Sequence, residues 1–287
     1  MEIAVYFAIV MASVTQSAST KAFNKTGGPS ALFNAIKTLS AFLLFLIISL
    51  PAFTFHLPTL LYGLAYGLSL CLATYAGYRA LCLGPMALTS MLASFSLLMP
   101  LLWGIFVRRE AVGMTLVAGL VLLLVALVLV NAHSLFSRRT EASRRPEGLW
   151  LLFVGVTFLC NGVCSILQKE HQTAYPSQYN REFMMFAMLL CAAVFTTVAL
   201  VRVPLAEMRS TPRKGLGLLS GVTNSLANFL TLLLAGMENA SVLFPIVSGG
   251  TILAAMLCGR VVFREKLRWN QYAALGLGVV AIVLLKL

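Results

Sequence analysis

The chain has 287 residues, of which 60% are hydrophobic and only 10% are charged, and its mean hydropathy is +0.91. Soluble domains carry about 25% charged residues, so this composition excludes a soluble globular domain and predicts an integral membrane protein. The net charge of +12 resides in short segments between apolar stretches. That placement indicates contact with anionic lipid headgroups and excludes nucleic acid as a partner.

The apolar stretches have the length of membrane-spanning helices, which need about 20 residues each. Ten such windows cover approximately residues 3–24, 30–50, 58–82, 85–107, 111–132, 148–168, 183–203, 214–236, 239–262 and 269–287. The sequence therefore predicts an all-α integral membrane protein with ten transmembrane helices. Most of the 21 Lys and Arg residues lie in or beside the odd-numbered connections, which favours both termini outside the cytoplasm.

Polar residues deep in these windows are costly in lipid unless they are paired or face water, so they are candidates for lining a solute path. Gln16 and Thr20 share one helix face, and Asn224 and Asn228 are one turn apart. Hydrogen bonds that only hold helices together are the alternative, at about 0.6 to 2 kcal/mol each. The predicted lining consists of Gln16, Thr20, Tyr75, Tyr78, Asn161, Gln168, Asn224, Asn228 and Ser248.

Three tyrosines of the third window, Tyr66, Tyr75 and Tyr78, could stack on a ligand or donate a hydrogen bond to it. Packing inside the protein and placement at the membrane interface are the alternatives for all three. We include Tyr75 and Tyr78 in the predicted lining.

The ninth window carries poor helix formers inside an apolar run, "LFPIVSGGTILAAMLCGRVVF" at residues 243–263. Pro245, Gly249 and Gly250 predict a break in this helix, and Pro100 predicts one at a different depth of the fourth window. Such a helix is expected to pack against protein and not against lipid. We therefore predict that these four residues form packing and hinge elements.

Catalytic and metal-binding patterns are missing from the sequence. All nine acidic residues are Glu, none lies near the middle of a window, and the three His residues are scattered among the predicted turns. The six Cys residues lie within or at the ends of apolar windows, where they serve as small apolar fillers. We expect no enzymatic activity, no cofactor and no metal site.

The chain contains an internal repeat. "GLAYGLSLCLATY" at residues 63–75 matches "GLLSGVTNSLANF" at residues 217–229, and Arg109-Glu110 matches Arg264-Glu265. The repeat predicts a first five-helix unit at 1–134, a polar basic linker at 135–147 and a second five-helix unit at 148–287. Because each half has an odd number of helices, the second is inverted relative to the first, as in transporters with a site near the membrane midplane. Asn224 and Asn228 correspond to Leu70 and Thr74, so the repeat itself does not require them.

The two halves, with "LGPMALTSMLASFSLLMPLLWGIFVRRE" and "MENASVLFPIVSGGTILAAMLCGRVVFREKL", resemble the EamA-like branch of the drug/metabolite transporter (DMT) superfamily. The resemblance covers nearly the whole chain. It implies transport by alternating access through a cavity lined by spans one, three, six and eight among others. Members of the superfamily move amino acids, sugars, nucleotide sugars, quaternary amines and drugs.

The expected class of solute follows from one difference between this sequence and its relatives in the superfamily. The small multidrug relatives have a membrane-embedded carboxylate in the first span, where this chain has Gln16. We therefore expect transport of a small polar metabolite, an amino acid or a similar neutral, zwitterionic or anionic solute, across a bacterial inner membrane. A flippase for a lipid-linked carrier and a multidrug or quaternary-amine exporter are the alternatives. The expected partners are this small-molecule substrate and membrane lipid, a coupled ion is left open, and the chain is expected to act as a monomer or homodimer.

Overall fold

The computed structural model describes residues 2–84, 86–137, 147–262, 264 and 268–286, and every regular element in these ranges is helical. Short 3-10 turns occur at Leu50–Ala52 and Phe95–Leu97. The α-helices are α1 (Glu2–Asn24), α2 (Ser30–Ser49), α3 (Leu57–Leu83), α4 (Met86–Ser94), α5 (Leu98–Phe106), α6 (Met114–Ser137), α7 (Glu147–Ala174), α8 (Asn180–Arg202), α9 (Leu205–Ser210), α10 (Gly215–Ala235), α11 (Ala240–Val261) and α12 (Trp269–Lys286).

Eight helices in the described part of the chain are long and apolar enough to cross a membrane. They are α1, α2, α3, α7, α8, α10, α11 and α12. The fourth and fifth predicted windows hold shorter apolar helices, Met91–Phe106 and Met114–Val130. The prediction of an all-α, multi-pass membrane protein is confirmed, whereas the number of ten spans and the inverted repeat stay predictions.

The fourth window is interrupted where Pro100 predicts a break. The 3-10 turn Phe95–Leu97 separates α4 from α5, and the Leu98 N–H is shared between the Phe95 and Ser96 carbonyls. Proline lacks the N–H that would bond to the Ser96 carbonyl four residues earlier, so the helix tightens at this point.

The ninth window is not interrupted, and the predicted break at Pro245, Gly249 and Gly250 is wrong. The helix α11 runs unbroken through all three residues. Glycine is tolerated in such a helix because little water competes there for the backbone hydrogen bonds. Pro245 and Gly249 are buried, and a β-carbon at Gly249 would lie 2.6 Å from Leu123 Cδ1 of α6. The same prediction also expected these residues to pack closely against protein, and Gly249 makes such a contact.

The chain forms two compact units. Unit 1 comprises Met1–Cys71 and Leu167–Met237, and unit 2 comprises Leu72–Ile166 and Glu238–Leu287. Two of the three boundaries fall inside long helices, one in α3 and one in α7, and the third lies in the connection between α10 and α11. Each unit thus takes helices from both predicted repeat halves. The repeat limits at 134 and 148 concern duplication of the sequence and stay a prediction.

Unit 1 is held together at two pairs of glycines, both of which belong to the sequence repeat. A β-carbon at Gly63 would lie 2.9 Å from the Phe183 carbonyl oxygen of α8, and one at Gly67 would lie 2.6 Å from the Ala187 carbonyl oxygen. The absence of a side chain therefore lets the α3 backbone approach α8 directly, as in small-xxx-small helix pairs.

The second pair makes the same kind of contact between α10 and α2. A β-carbon at Gly217 would lie 2.9 Å from Ile36 Cγ2, and one at Gly221 would overlap the Ser40 hydroxyl and the Lys37 carbonyl oxygen. The repeated "GxxxG" spacing in α3 and α10 therefore marks two close helix crossings in one unit.

Unit 2 is braced by Glu110, which follows α5 and caps the N-terminus of α11. Its carboxylate accepts hydrogen bonds from the Ala240 N–H at 2.9 Å, the Ser241 N–H at 2.9 Å and the Ser241 hydroxyl at 2.6 Å. The first backbone N–H groups of a helix have no partner within the helix, so these bonds satisfy two of them.

Candidate polar site in unit 1

Four polar side chains, of which Asn228 is half-buried and the other three are buried, form one hydrogen-bonded chain across α7, α3 and α10. Gln168 Nε2 donates to Tyr66 Oη at 3.5 Å, and the Tyr66 hydroxyl donates to Asn228 Oδ1 at 2.9 Å. Asn228 Nδ2 donates to the Asn224 carbonyl at 2.8 Å and to Asn224 Oδ1 at 3.2 Å. Three of the nine predicted lining residues are thereby brought together. The fourth member of the chain is Tyr66, not Tyr75 or Tyr78.

The order of donors leaves both ends of this chain without a partner in the described structure. Every bond points from Gln168 toward Asn224, so the Gln168 Oε1 acceptor begins the chain and the Asn224 Nδ2 donor ends it. Gln168 is 4% exposed and Asn224 is 9% exposed. Neither end atom is among the enclosed side-chain atoms that lack a hydrogen bond, so both ends are accessible places where a solute could complete the network.

A second polar cluster adjoins Gln168 one helical turn further along α7. His171 is fully buried, its Nε2 lies 3.1 Å from Thr59 Oγ1, and the same oxygen lies 2.9 Å from His56 Nδ1. The threonine hydroxyl has one proton, so it donates to one imidazole and accepts from the other. The prediction that the His residues are scattered is therefore wrong for His56 and His171. The hydroxyl of Thr59 in α3 contacts both rings and so links the connection before α3 to α7, while the side chain of His133 lies outside the described residues.

Aromatic rings join the polar chain to the histidine cluster. The Phe183 ring of α8 lies 5.4 Å from the Tyr66 ring and 4.7 Å from the His171 ring, measured between centroids. These distances are those of favourable aromatic pairs. The polar groups of unit 1 are therefore held in a packed aromatic surrounding that fixes their positions.

Gln16 and Thr20, the other predicted lining residues of unit 1, lie on α1, which packs against α10. The Thr20 hydroxyl donates to the Gln16 backbone carbonyl at 2.8 Å, so it is satisfied within its own helix. Both side chains are half-buried. No side-chain hydrogen bond of the described residues joins them to the chain of Asn224 and Asn228.

The remaining four predicted lining residues belong to unit 2. Tyr75 and Tyr78 are 48% and 54% exposed, and the Tyr75 ring stands edge-on to the Phe153 ring at 6.3 Å. Asn161 is half-buried in α7, where its backbone carbonyl accepts a hydrogen bond from the Ser165 hydroxyl at 3.4 Å. Ser248 is half-buried in α11. Their roles in a solute path stay predictions.

The fold is shared with known structures. A solved crystal structure superposes with a TM-score of 0.78 over 98% of this chain and 94% of that chain, at 15% sequence identity. No protein-family model matches the sequence. No curated protein matches it either. At this identity the likeness concerns the fold alone, so the function has to be argued from the residues.

The chemistry of the candidate site is that of uncharged recognition. Its members are the carboxamide groups of one Gln and two Asn residues and the phenol of one Tyr, which present both donors and acceptors without a net charge. Among the described residues, no cluster of three or more His, Cys, Asp or Glu could hold a metal ion. The site is therefore suited to hydrogen-bond the polar groups of a small solute.

Proposed function

We propose that the protein transports a small polar metabolite across the membrane by alternating access, and that Gln168, Tyr66, Asn228 and Asn224 contact the solute in unit 1. The observation that carries this proposal is the hydrogen-bonded chain, which has an accessible acceptor at one end and an accessible donor at the other. Polar side chains are costly inside a membrane unless they are paired or face water, so a polar chain with accessible ends fits a solute path.

The packing of the glycine pairs supports the two-repeat architecture on which alternating access would depend. Gly63 and Gly67 of α3 correspond in the repeat to Gly217 and Gly221 of α10. The first pair packs on α8 and the second on α2, which are the second helices of the opposite halves. Each half thus contributes the same kind of contact to the other, as a two-fold relation between inverted repeats requires.

Replacement of Asn228 by Leu is expected to reduce solute uptake at least roughly tenfold, because it removes the acceptor of Tyr66 and the donor to Asn224. The measurement is uptake into proteoliposomes from a panel of radiolabelled amino acids, sugars and quaternary amines, with and without a proton gradient. Tyr66→Phe, which keeps the ring and removes only the hydroxyl, and Gln16→Leu are tested in the same assay.

Thr223→Val is the matched control on the same helix, because the Thr223 hydroxyl donates only to carbonyls of its own helix, Leu219 at 2.8 Å and Ser220 at 3.3 Å. It should transport like the wild type. If the wild type moves no solute of the panel, the transporter proposal is wrong. If Asn228→Leu and Tyr66→Phe elute as folded protein and transport at the wild-type rate, the assigned site is wrong.

A further inference from the structure

A cavity of about 490 Å³ lies in unit 1 beside the start of α8. Pockets that bind small solutes in other proteins have volumes of about 300 to 1,000 Å³, so this one has room for a metabolite. Its walls come from the connection before α3, the connection before α8, the first turn of α8 and the C-terminal half of α10. The lining includes Thr54, Gln178, Tyr179, Arg181, Glu182 and Phe229.

Glu182 is the unusual member of this wall. It is 2% exposed, and no hydrogen bond or ion pair of its carboxylate exists among the described residues. Its carboxylate oxygens are not among the enclosed side-chain atoms that lack a hydrogen bond, so they are accessible from the cavity that the residue lines. Its place in the first turn of α8 stabilises the negative charge through the helix dipole. A cationic group in the cavity would supply a partner for this carboxylate.

Arg181 provides the opposite charge in the same wall. Its only hydrogen bond in the described structure is a long one of 3.5 Å, from Nη1 to the Ile48 carbonyl. Most of its five N–H donors are therefore available to an anion. Adjacent positions of a helix point about 100° apart, which explains why Arg181 and Glu182 line one cavity without pairing with each other.

Tyr179 forms a rigid aromatic side of the cavity. Its ring stacks on the His56 ring at 4.4 Å with an interplanar angle of 4°. Its backbone has φ = 52°, a left-handed conformation that is unfavourable for a tyrosine and that the surrounding packing must maintain. The position of the ring is thus fixed before any solute enters.

We propose that this cavity binds a small zwitterion, with the ammonium group of the solute on Glu182 and its carboxylate on Arg181. The cavity shares no lining residue with the polar chain of Gln168, Tyr66, Asn228 and Asn224, so it is a second solute site, and it rests on the proposed function only for the claim that the bound solute is transported. Binding itself is independent of transport. A free solute such as an α-amino acid is the occupant to which the proposal commits.

The test is isothermal titration calorimetry on the purified full chain in detergent. The probes are L-serine, L-leucine and L-phenylalanine, each compared with the amine that lacks its carboxylate and the acid that lacks its ammonium group. At least one amino acid should bind, and its two fragments should bind roughly tenfold more weakly or not at all, because each loses a charge-assisted hydrogen bond. Dihexanoylphosphatidylserine serves as the lipid-headgroup probe.

The variants Glu182→Gln and Arg181→Gln should each weaken amino-acid binding roughly tenfold or more, whereas Glu207→Gln, an exposed glutamate of α9, should leave binding unchanged. Glu182→Gln removes an unpaired buried charge, so its melting temperature should equal or exceed that of the wild type. A lower melting temperature would mean that the carboxylate has a structural partner, which overturns the proposal.

Three further results would overturn the proposed binding site: no amino acid binds, Glu182→Gln binds as tightly as the wild type, or the phosphatidylserine binds more tightly than L-serine.

Failure of the proposed transport function gives a different set of results. In that case proteoliposomes move no solute although the wild type binds an amino acid, and the binding site stands. If proteoliposomes transport a solute while no amino acid binds, the transporter proposal stands and the zwitterion site falls.

Discussion

Alanine in place of Gly67 or Gly221 is expected to lower the apparent melting temperature of the purified protein by roughly 2–12 °C. A β-carbon at Gly67 would lie 2.6 Å from the Ala187 carbonyl oxygen, and one at Gly221 would overlap the Lys37 carbonyl oxygen. Both neighbours are backbone atoms, so a whole helix must move to relieve the overlap. Overpacking of this kind costs about 1–3 kcal/mol, and a protein of this size loses about 2–4 °C for each kcal/mol.

Gly155→Ala is the matched control for these variants. Gly155 also lies in a membrane-spanning helix, α7, but a β-carbon there would meet no atom within 4 Å. Alanine has the higher helix propensity, so this variant should melt at or above the wild-type temperature. The measurement is the loss of monodisperse protein on heating, followed by size-exclusion chromatography in detergent. Equal melting temperatures for Gly67→Ala, Gly221→Ala and Gly155→Ala would contradict the assigned helix contacts.

The helices could be predicted from the sequence because the hydrophobic effect and the need to satisfy backbone hydrogen bonds leave little choice in lipid. All ten windows contain helix within the described ranges, and α8 differs from its window, 183–203, by only a few residues. The place of the break could not be predicted by the same reasoning. Pro100 and Pro245 are equally unfavourable in a helix, and only the neighbours of each decide whether the helix tightens or continues.

The hydrogen-bonded chain of unit 1 could be predicted in part. Gln168, Asn224 and Asn228 are conspicuous because they are polar, regularly spaced and, for the two asparagines, not required by the repeat. The choice among the tyrosines of α3 could not be made, because Tyr66 and Tyr75 are nine residues apart and point to opposite faces of the helix, about 180° from each other. The apolar residues of α3 do not distinguish its buried face from its exposed one.

The burial of Glu182 could not be predicted from its distance to the end of an apolar window. The sequence places it at the end of a span, where a glutamate ordinarily reaches water. In the structure it is buried, because the connection before α8 and the α10 residue Phe229 enclose the same cavity. Burial at the edge of a membrane helix depends on loops that hydropathy does not describe.

Replacement of Glu110 by Ala is expected to destabilise unit 2 by about 2–4 kcal/mol, because it removes three hydrogen bonds to a carboxylate at the N-terminus of α11. Asn239, the residue that precedes α11, makes no side-chain capping bond, so Glu110 alone supplies this cap in the described structure. The negative charge also interacts favourably with the positive end of the helix dipole. Thermal unfolding in detergent measures the effect.

Glu110→Gln separates the two contributions, because the amide keeps one acceptor oxygen but loses the charge and places a donor where Ser241 donates. The melting temperature of Glu110→Gln should lie between those of Glu110→Ala and the wild type, whereas Glu207→Ala, on the exposed surface of α9, should have no effect.

Arg109 and Arg264, which match in the repeat, share a left-handed backbone with φ of 53° and 54°. The left-handed residue before Glu110 thus has a counterpart at Arg264. A Glu110→Ala variant as stable as Glu207→Ala would show that the carboxylate does not hold the two helices together.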